Sequence, residues 1–240
     1  MPSKRYGRVI AAPHQAYLID TNHIGTIVIA DDHPMFRHAL FMRVTADYPS
    51  ASVLEADTID ALHGLLAQHD NIDLILLDLN MPGSHGLSSL IHVRARNPEI
   101  SVVVVSANEE PVTINRALQL GAAGFIPKSS SLEKISSALA QVISGSRYVP
   151  DALIGMNLRA LSDTVQTSAG KIGALTPQQF RIASLLAQGM LNKQIAWLLK
   201  ITEATVKVHM RTIMDKLDVR NRTQVALLFQ TFDEVAHQDP

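Results

Sequence analysis

The sequence predicts a chain in two parts. First comes an α/β unit on a five-stranded parallel sheet covered on both faces, then a small all-helical unit of four helices. Three observations predict it. Short β-rich runs alternate with helical stretches through the first half, two of those runs are continuously apolar, and from Thr176 onward only short helices with sharp stops remain.

The β-rich runs are TIVIA (26–30), SVLEA (52–56), LILLDL (74–79), SVVVVSA (101–107) and GFIPK (124–128). Helical patterns fall near 34–46, 58–69, 85–96, 111–121 and 131–144. A strand followed each time by a helix implies parallel pairing, because parallel strands need long crossovers. The unbroken apolar character of LILL and VVVV is that of strands buried on both sides. Residues 1–25 lack clean periodicity and read as a loosely ordered extension, so the α/β unit spans 26–149. Residues 150–171 hold several Ser, Thr and Gly and read as a linker with at most one helical turn. The helical unit follows at 172–237, with a helix-turn-helix near 192–211. Its punctuation is explicit: Thr176-Pro177 starts a helix and Gly189 ends it. Asn192 and Thr202 are expected to cap the next two, and a fourth begins near Arg222.

Composition removes whole classes of function. The 240 residues include no cysteine, which excludes disulfides, thiolate catalysis and cysteine-ligated zinc. No apolar run approaches the roughly 20 residues of a membrane span, and only VIAA follows the basic residues near the start, too little for a signal peptide. The expectation is a soluble, cytoplasmic protein. The net charge of −1 hides an asymmetry. Residues 27–149 carry eight Lys and Arg against 13 Asp and Glu, a net of −5, whereas residues 176–225 carry eight against three, a net of +5. A basic block behind an acidic one points to a polyanionic partner for the helical unit.

In an open parallel sheet, ligands bind beyond the carboxyl ends of the strands. Asp31 and Asp32 follow the first strand, Asp78 ends the third, Ser106 the fourth and Lys128 the fifth. Each alone is an ordinary strand-end residue; together they put complementary chemistry at one sheet edge. Three neighbouring carboxylates repel and call for a cation, and oxygen-only ligation points to Mg2+. With charge neutralised, Asp78 is a candidate nucleophile toward a phosphoryl group. Lys128 would balance the incoming charge and Ser106 would donate a hydrogen bond.

The segments ADDHPMFR (30–37), LLDLNMPGSHGL (76–87), VVVVSA (102–107) and GAAGFIPKSS (121–130) resemble the signature segments of receiver domains. The resemblance implies a flavodoxin-like, doubly wound sheet and magnesium-dependent phosphotransfer from a sensor histidine kinase. It makes Asp78 the phosphoacceptor, Asp31 and Asp32 the metal-binding acidic pair, and the main-chain carbonyl of Asn80 a further metal ligand. Ser106 becomes the switch hydroxyl, Lys128 the family's lysine and Phe125 the switch aromatic, although a lone strand aromatic is more often simply core. His85 departs from the family, which often has Asp there. Asn80 and Asn108 stand at positions that tune phosphate lifetime. Slow self-dephosphorylation apart, such a protein is not an enzyme.

Over 203–217, Val206, Met210, Ile213, Met214 and Leu217 share one helical face, while Ala204, Lys207, Val208, Arg211 and Asp215 share the opposite one. Two cations beside a small apolar group suit a major groove: Lys and Arg for guanine edges, Val for a thymine methyl. Residues 175–228 resemble the LuxR/NarL-type helix-turn-helix, whose third helix reads DNA. That resemblance makes Lys207, Val208 and Arg211 base contacts. It makes Asn192, Lys193, Thr205, Lys216, Arg220, Arg222 and Thr223 phosphate contacts or their supports, which position without specifying. Lys200 replaces a frequent turn glycine, which predicts local strain. Trp197, where a polar residue is common, reads as core or as a contact surface. The last helix, with Val225, Ala226, Leu228 and Phe229, either pairs across a two-fold axis or packs within one protomer.

The two resemblances cover 26–149 and 172–232 in the order of full-length transcriptional response regulators. They imply promoter DNA, with a two-fold site, a sensor kinase, a homodimer when active and RNA polymerase as partners, and no membrane. The expected consequence of phosphorylation is release of the recognition helix or dimerisation. An aspartate-nucleophile phosphatase is disfavoured because its DxD would follow the first strand. A ligand-binding LuxR-type sensor is disfavoured because it lacks this acidic cluster and lysine.

Overall fold

The computed structural model describes residues 24–153 and 163–233. The expected N-terminal extension therefore lies outside the described residues, apart from its last two. Five parallel strands, β1 (Thr26–Ala30), β2 (Ser52–Ala56), β3 (Leu74–Asp78), β4 (Ser101–Ser106) and β5 (Gly124–Pro127), form one sheet in the order β2-β1-β3-β4-β5. Helices α1 (Pro34–Asp47), α2 (Ile59–Gln68), α3 (Leu87–Arg96), α4 (Pro111–Gln119) and α5 (Leu132–Ile143) follow them in turn. All ten elements fall where the sequence places them, within a few residues at their ends.

The strand order reverses between β1 and β3, so the crevice beyond their carboxyl ends is the switch point of the sheet. The central strands bury both faces. Ile27, Ile29, Leu74, Leu76, Val103 and Val105 pack toward α1 and α5. Val28, Ile75, Leu77, Val102, Val104 and Phe125 belong to the other core, which includes residues of α2, α3 and α4.

The remaining helices are α6 (Asp163–Gly173), α7 (Pro177–Ala187), α8 (Asn192–Leu199), α9 (Glu203–Leu217) and α10 (Arg222–Asp233). The stretch expected as linker holds more structure than one turn, with a 3-10 turn at Asp151–Leu153 and most of α6. Its Ser, Thr and Gly content hid the helix; packing of α6 against α3 stabilises it where propensity does not. Thr176 closes a capping box with Gln179, and Thr202 caps α9 through the Thr205 N–H. The N-cap of α8 is Leu191, one residue before the expected Asn192, and Gln194 Oε1 accepts the Leu191 N–H at 2.7 Å. Here the capping group comes from inside the helix. Lys200 ends α8 at φ 51°, ψ 42°, the strained left-handed conformation the sequence predicts.

Helix α3 explains how the halves join. Leu87 through Val93 are all buried, seven in succession. A helix buried all round has a partner on each side. One side of α3 lies on the sheet and the other meets α6 and α10. Gly173, at the end of α6, comes so close to α3 that a Cβ there would lie 2.5 Å from the Ala95 Cβ. The core on that face of the sheet runs without a break from Val28 into Phe180, Val206 and Phe229 of the helical half.

Candidate functional site: an acidic pocket and an open reading helix

The sheet topology sets the pocket. Because β1 and β3 are neighbours in parallel register, Asp31, one residue past the end of β1, and Asp78, at the end of β3, emerge side by side. Both are 1% exposed. Lys128 reaches in from the end of β5, its Nζ 2.8 Å from Asp78 Oδ2 and 2.8 Å from Asp31 Oδ2. The Asn80 N–H donates to Asp78 Oδ1 at 3.0 Å and holds the carboxylate in place. Ser106 is buried at the end of β4, where its Oγ accepts the Asn108 N–H at 3.2 Å and its carbonyl accepts the Lys128 N–H at 2.8 Å. Phe125, on β5, is fully buried in the core against the neighbouring helices. The pocket residues named from the sequence thus converge on one edge.

Two members were not singled out from the sequence. His33 Nδ1 lies 2.8 Å from Asp32 Oδ1 and 3.3 Å from Asp31 Oδ1, and its N–H donates to Asp31 Oδ1 at 2.8 Å. Its place directly after the acidic pair was the available signal. Arg37 donates to the Asp31 carbonyl at 2.7 Å and pairs with Glu55 at 3.0 Å, fixing the β1–α1 turn. No local pattern announces that contact, because Glu55 lies on another strand.

Electrostatics set the chemistry. Burial pushes the Asp78 carboxyl above the ordinary range, and the negative charge of Asp31 adds to the rise. Hydrogen bonds from Lys128 and the Asn80 N–H, with the Lys128 charge, pull the other way. Burial alone would lower the Lys128 ammonium, but its hydrogen bonds to Asp31 and Asp78 outweigh that and hold it above the usual lysine value. Asp31, Asp32, His33 and Asp78 each offer a ligand atom, all within 4.8 Å of one another. Asp31 Oδ2 and Asp32 Oδ1 are sealed from solvent, the first with the Lys128 ammonium and the second with the His33 imidazole at 2.8 Å. Buried carboxylate oxygens grouped in this way suit a hard divalent cation.

In the helical half, α9 buries Val206, Met210, Ile213 and Leu217, with Met214 half-buried, as the wheel predicts. Lys207, Val208 and Arg211 are exposed, Val208 by 67%. This face is therefore not covered by the α/β half. That half covers α7 and α10 instead: His92 of α3 stacks on Phe180, and His85, in the loop before α3, meets the Ser184 carbonyl and the Phe229 ring. Lys193 and Thr223 are exposed, and Thr205 bonds the Thr202 cap. The Arg220 main-chain N–H donates to Gln224 Oε1 at 2.7 Å, and Arg222 donates to the Met190 carbonyl at 3.1 Å. Lys216 turns inward, its Nζ 2.9 Å from the Ala174 carbonyl and 2.9 Å from Gln179 Oε1, which makes it a brace between α9 and the start of α7. Trp197 is 81% exposed and so is surface, not core. Val225, Phe229 and Phe232 pack within the protomer, while Leu227 stays 56% exposed.

Comparison with known proteins agrees with both halves. Residues 27–140 match the response regulator receiver domain, and residues 173–229 match the bacterial regulatory proteins of the luxR family. The chain is 40% identical to the glycerol metabolism activator of Pseudomonas putida, over 88% of this chain and 97% of that protein. It is 35% identical to the nitrate/nitrite response regulator protein NarL of Escherichia coli K12, over 84% of this chain and 93% of that protein. In fold it is similar to RcsB from Salmonella enterica serovar Typhimurium, solved bound to promoter rprA in the presence of phosphomimetic BeF3−. The TM-score is 0.51 at 22% identity, covering 86% of this chain and 98% of that one. The chain belongs to the two-component response regulators that join a receiver domain to a LuxR-type DNA-binding domain.

Proposed function

We propose that Asp78 accepts a phosphoryl group from a sensor histidine kinase, and that the phosphorylated chain dimerises and binds a two-fold promoter site in the cytoplasm. The observation that carries this reading is the placement of Lys128, whose ammonium bridges Asp78 and Asp31 at 2.8 Å inside a buried acidic pocket. A buried nucleophilic carboxylate beside a fixed cation is arranged for transfer of an anionic group. An Asp78 carboxylate oxygen forms a bond to phosphorus while the bond from phosphorus to the donor breaks and the donor leaves with its electron pair. Lys128 stays with the added negative charge, and Ser106 donates to a phosphoryl oxygen. Reorientation of Ser106 is coupled to the Phe125 ring.

Asp31, Asp32, Asp78 and the main-chain carbonyl of Asn80 would hold Mg2+. When bound, the ion offsets the repulsion between carboxylates and phosphoryl oxygens. On the DNA side, Lys207, Val208 and Arg211 read base edges. Asn192, Lys193, Thr205, Arg220, Arg222 and Thr223 contact or support phosphates, and Lys216 acts from behind as a support.

The test loads the full chain with beryllofluoride and Mg2+ and follows DNA affinity and molecular mass, beside the Asp78→Asn variant. The reading predicts tighter binding and self-association in the wild type alone. Identical affinity and mass with and without beryllofluoride would overturn it.

A further inference from the structure

The seam between the halves carries a histidine ladder that phosphotransfer does not use. His92, on α3, is fully buried, its ring stacked on Phe180 of α7 with centroids 4.3 Å apart and planes 17° apart. His92 Nε2 lies 3.1 Å from the Leu175 carbonyl oxygen. A carbonyl only accepts, so Nε2 carries the hydrogen and, in the neutral ring, Nδ1 holds a lone pair. That lone pair faces His63 Nε2 of α2 at 3.2 Å, so His63 must be the donor. The chain of donors therefore runs from His63 to His92 to the backbone just ahead of the DNA-binding helices.

The charged surroundings are mostly cationic. From α3, Arg96 reaches the same Leu175 carbonyl at 3.3 Å. From α7, Arg181 pairs with Asp60 of α2 at 2.8 Å, so that carboxylate is already matched. The nearby rings, Phe180 and Phe229, bring no charge, and His85 stands beyond them against Phe229. His63, His92, Arg96 and Pro177 line a cleft of about 160 Å³, which gives solvent protons a route to the ladder.

We propose that His63 and His92 form a proton-operated latch, which holds the receiver against the DNA-binding half while both imidazoles are neutral and releases it when they take up protons. With both rings protonated, two N–H groups would confront each other across 3.2 Å, beside Arg96 and Arg181 and largely out of water. Separating the halves returns both rings to solvent.

Burial, with Arg96 and Arg181, holds His63 at about 4 in the closed arrangement. Burial, with His63 and Arg96, holds His92 at about 3, against the opposing hydrogen bond to Leu175. Both lie below the ordinary 6.5, so closure has its full strength above pH 6.5 and weakens as pH falls from there toward the closed-state values. From pH 7.5 to 5.5, each histidine that regains its ordinary value on opening shifts the open-to-closed ratio roughly tenfold.

The chain contains no cysteine, so a Glu99→Cys/Gln188→Cys pair on exposed positions of the two halves takes spin labels selectively. The interdomain distance distribution of the full chain is measured at pH 7.5 and 5.5, in this background and with His63→Gln/His92→Gln added. Glutamine keeps a donor without titrating. The expected result is a separated population whose ratio to the closed one rises at least tenfold on acidification in the parent and less than twofold in the variant. A parent distribution that does not move, or a variant that responds like the parent, overturns the latch. If the glutamine variant fails to fold, imidazole resonances of the wild type decide. Protonation of His63 and His92 in step with growth of the separated population supports the latch, and separation with both rings neutral, or protonation of both with the halves still closed, overturns it. Asp78 takes no part, so failure here leaves the phosphorylation reading intact.

Discussion

His85 donates from Nε2 to the main-chain carbonyl of Ser184 across 2.6 Å, tying the loop that follows Asp78 to helix α7 of the DNA-binding half. The loop is itself wired: Ser84 Oγ bonds the Leu79 carbonyl and Ser89 Oγ, and the His85 N–H donates to Ser89 Oγ. The His85 ring also meets Phe229 of α10 edge-on, with centroids 5.9 Å apart. A disturbance at Asp78 thus has a short covalent and hydrogen-bonded route to α7 and α10.

His85→Ala removes that donor from the Ser184 carbonyl, which keeps the Gln188 N–H at 3.1 Å, at a cost of about 0.5–1.5 kcal/mol. The expected outcome is looser docking with each half intact. It would be read as a broader distance distribution between spin labels on the two halves, with unchanged acetyl phosphate labelling of the receiver. A wild-type distribution would show that this contact does not hold the halves together.

Magnesium should stabilise the receiver through its carboxylates. A ligand that binds only the folded form at a hundred times its Kd contributes about 2.7 kcal/mol. Thermal unfolding with and without Mg2+ should show a saturable rise in Tm for the wild type. Asp31→Asn should lose most of it, because that substitution removes a buried carboxylate from the cluster.

Lys200 occupies the left-handed region without being glycine. Lys200→Gly should stabilise the DNA-binding half by about 1 kcal/mol, since glycine adopts this conformation without the Cβ penalty. Denaturant unfolding followed at Trp197, the only tryptophan, measures it. Asp218, also left-handed, is a residue type that tolerates the conformation, and gains less from the same change.

The proposed DNA contacts are of two kinds, Arg211 on α9 for bases and Lys193 on α8 for phosphates. Arg211→Ala should cost about 1–3 kcal/mol on the preferred site and relax base preference, whereas Lys193→Ala should weaken all sequences alike and lower the salt slope by about one ion. Titrations on specific and scrambled duplexes at several salt concentrations distinguish them.

What was legible followed periodicity. The strands, the exposed cationic face of α9 and the pocket carboxylates were visible because period-two and period-3.6 patterns and strand ends are local features. The capping of α8 by Gln194 and the helix Asp163–Gly173 were not, because one reverses the usual capping direction and the other depends on α3. The imidazoles of His63 and His92 looked like unremarkable polar residues, and His85 stood out only as a departure from the family pattern. Their roles exist only once Leu175, Phe180 and Ser184 arrive from more than 80 positions away. Lys216 shows the converse: a basic residue in a basic block whose ammonium points into its own domain.

The most direct measurement of the central claim is chemical. The full chain is incubated with acetyl phosphate and Mg2+, reduced with borohydride and mapped by mass spectrometry, so that an aspartyl phosphate appears as homoserine. The account predicts homoserine at position 78 alone, lost without Mg2+. Homoserine elsewhere, or none at all while the chain is folded and loaded with magnesium, would contradict it.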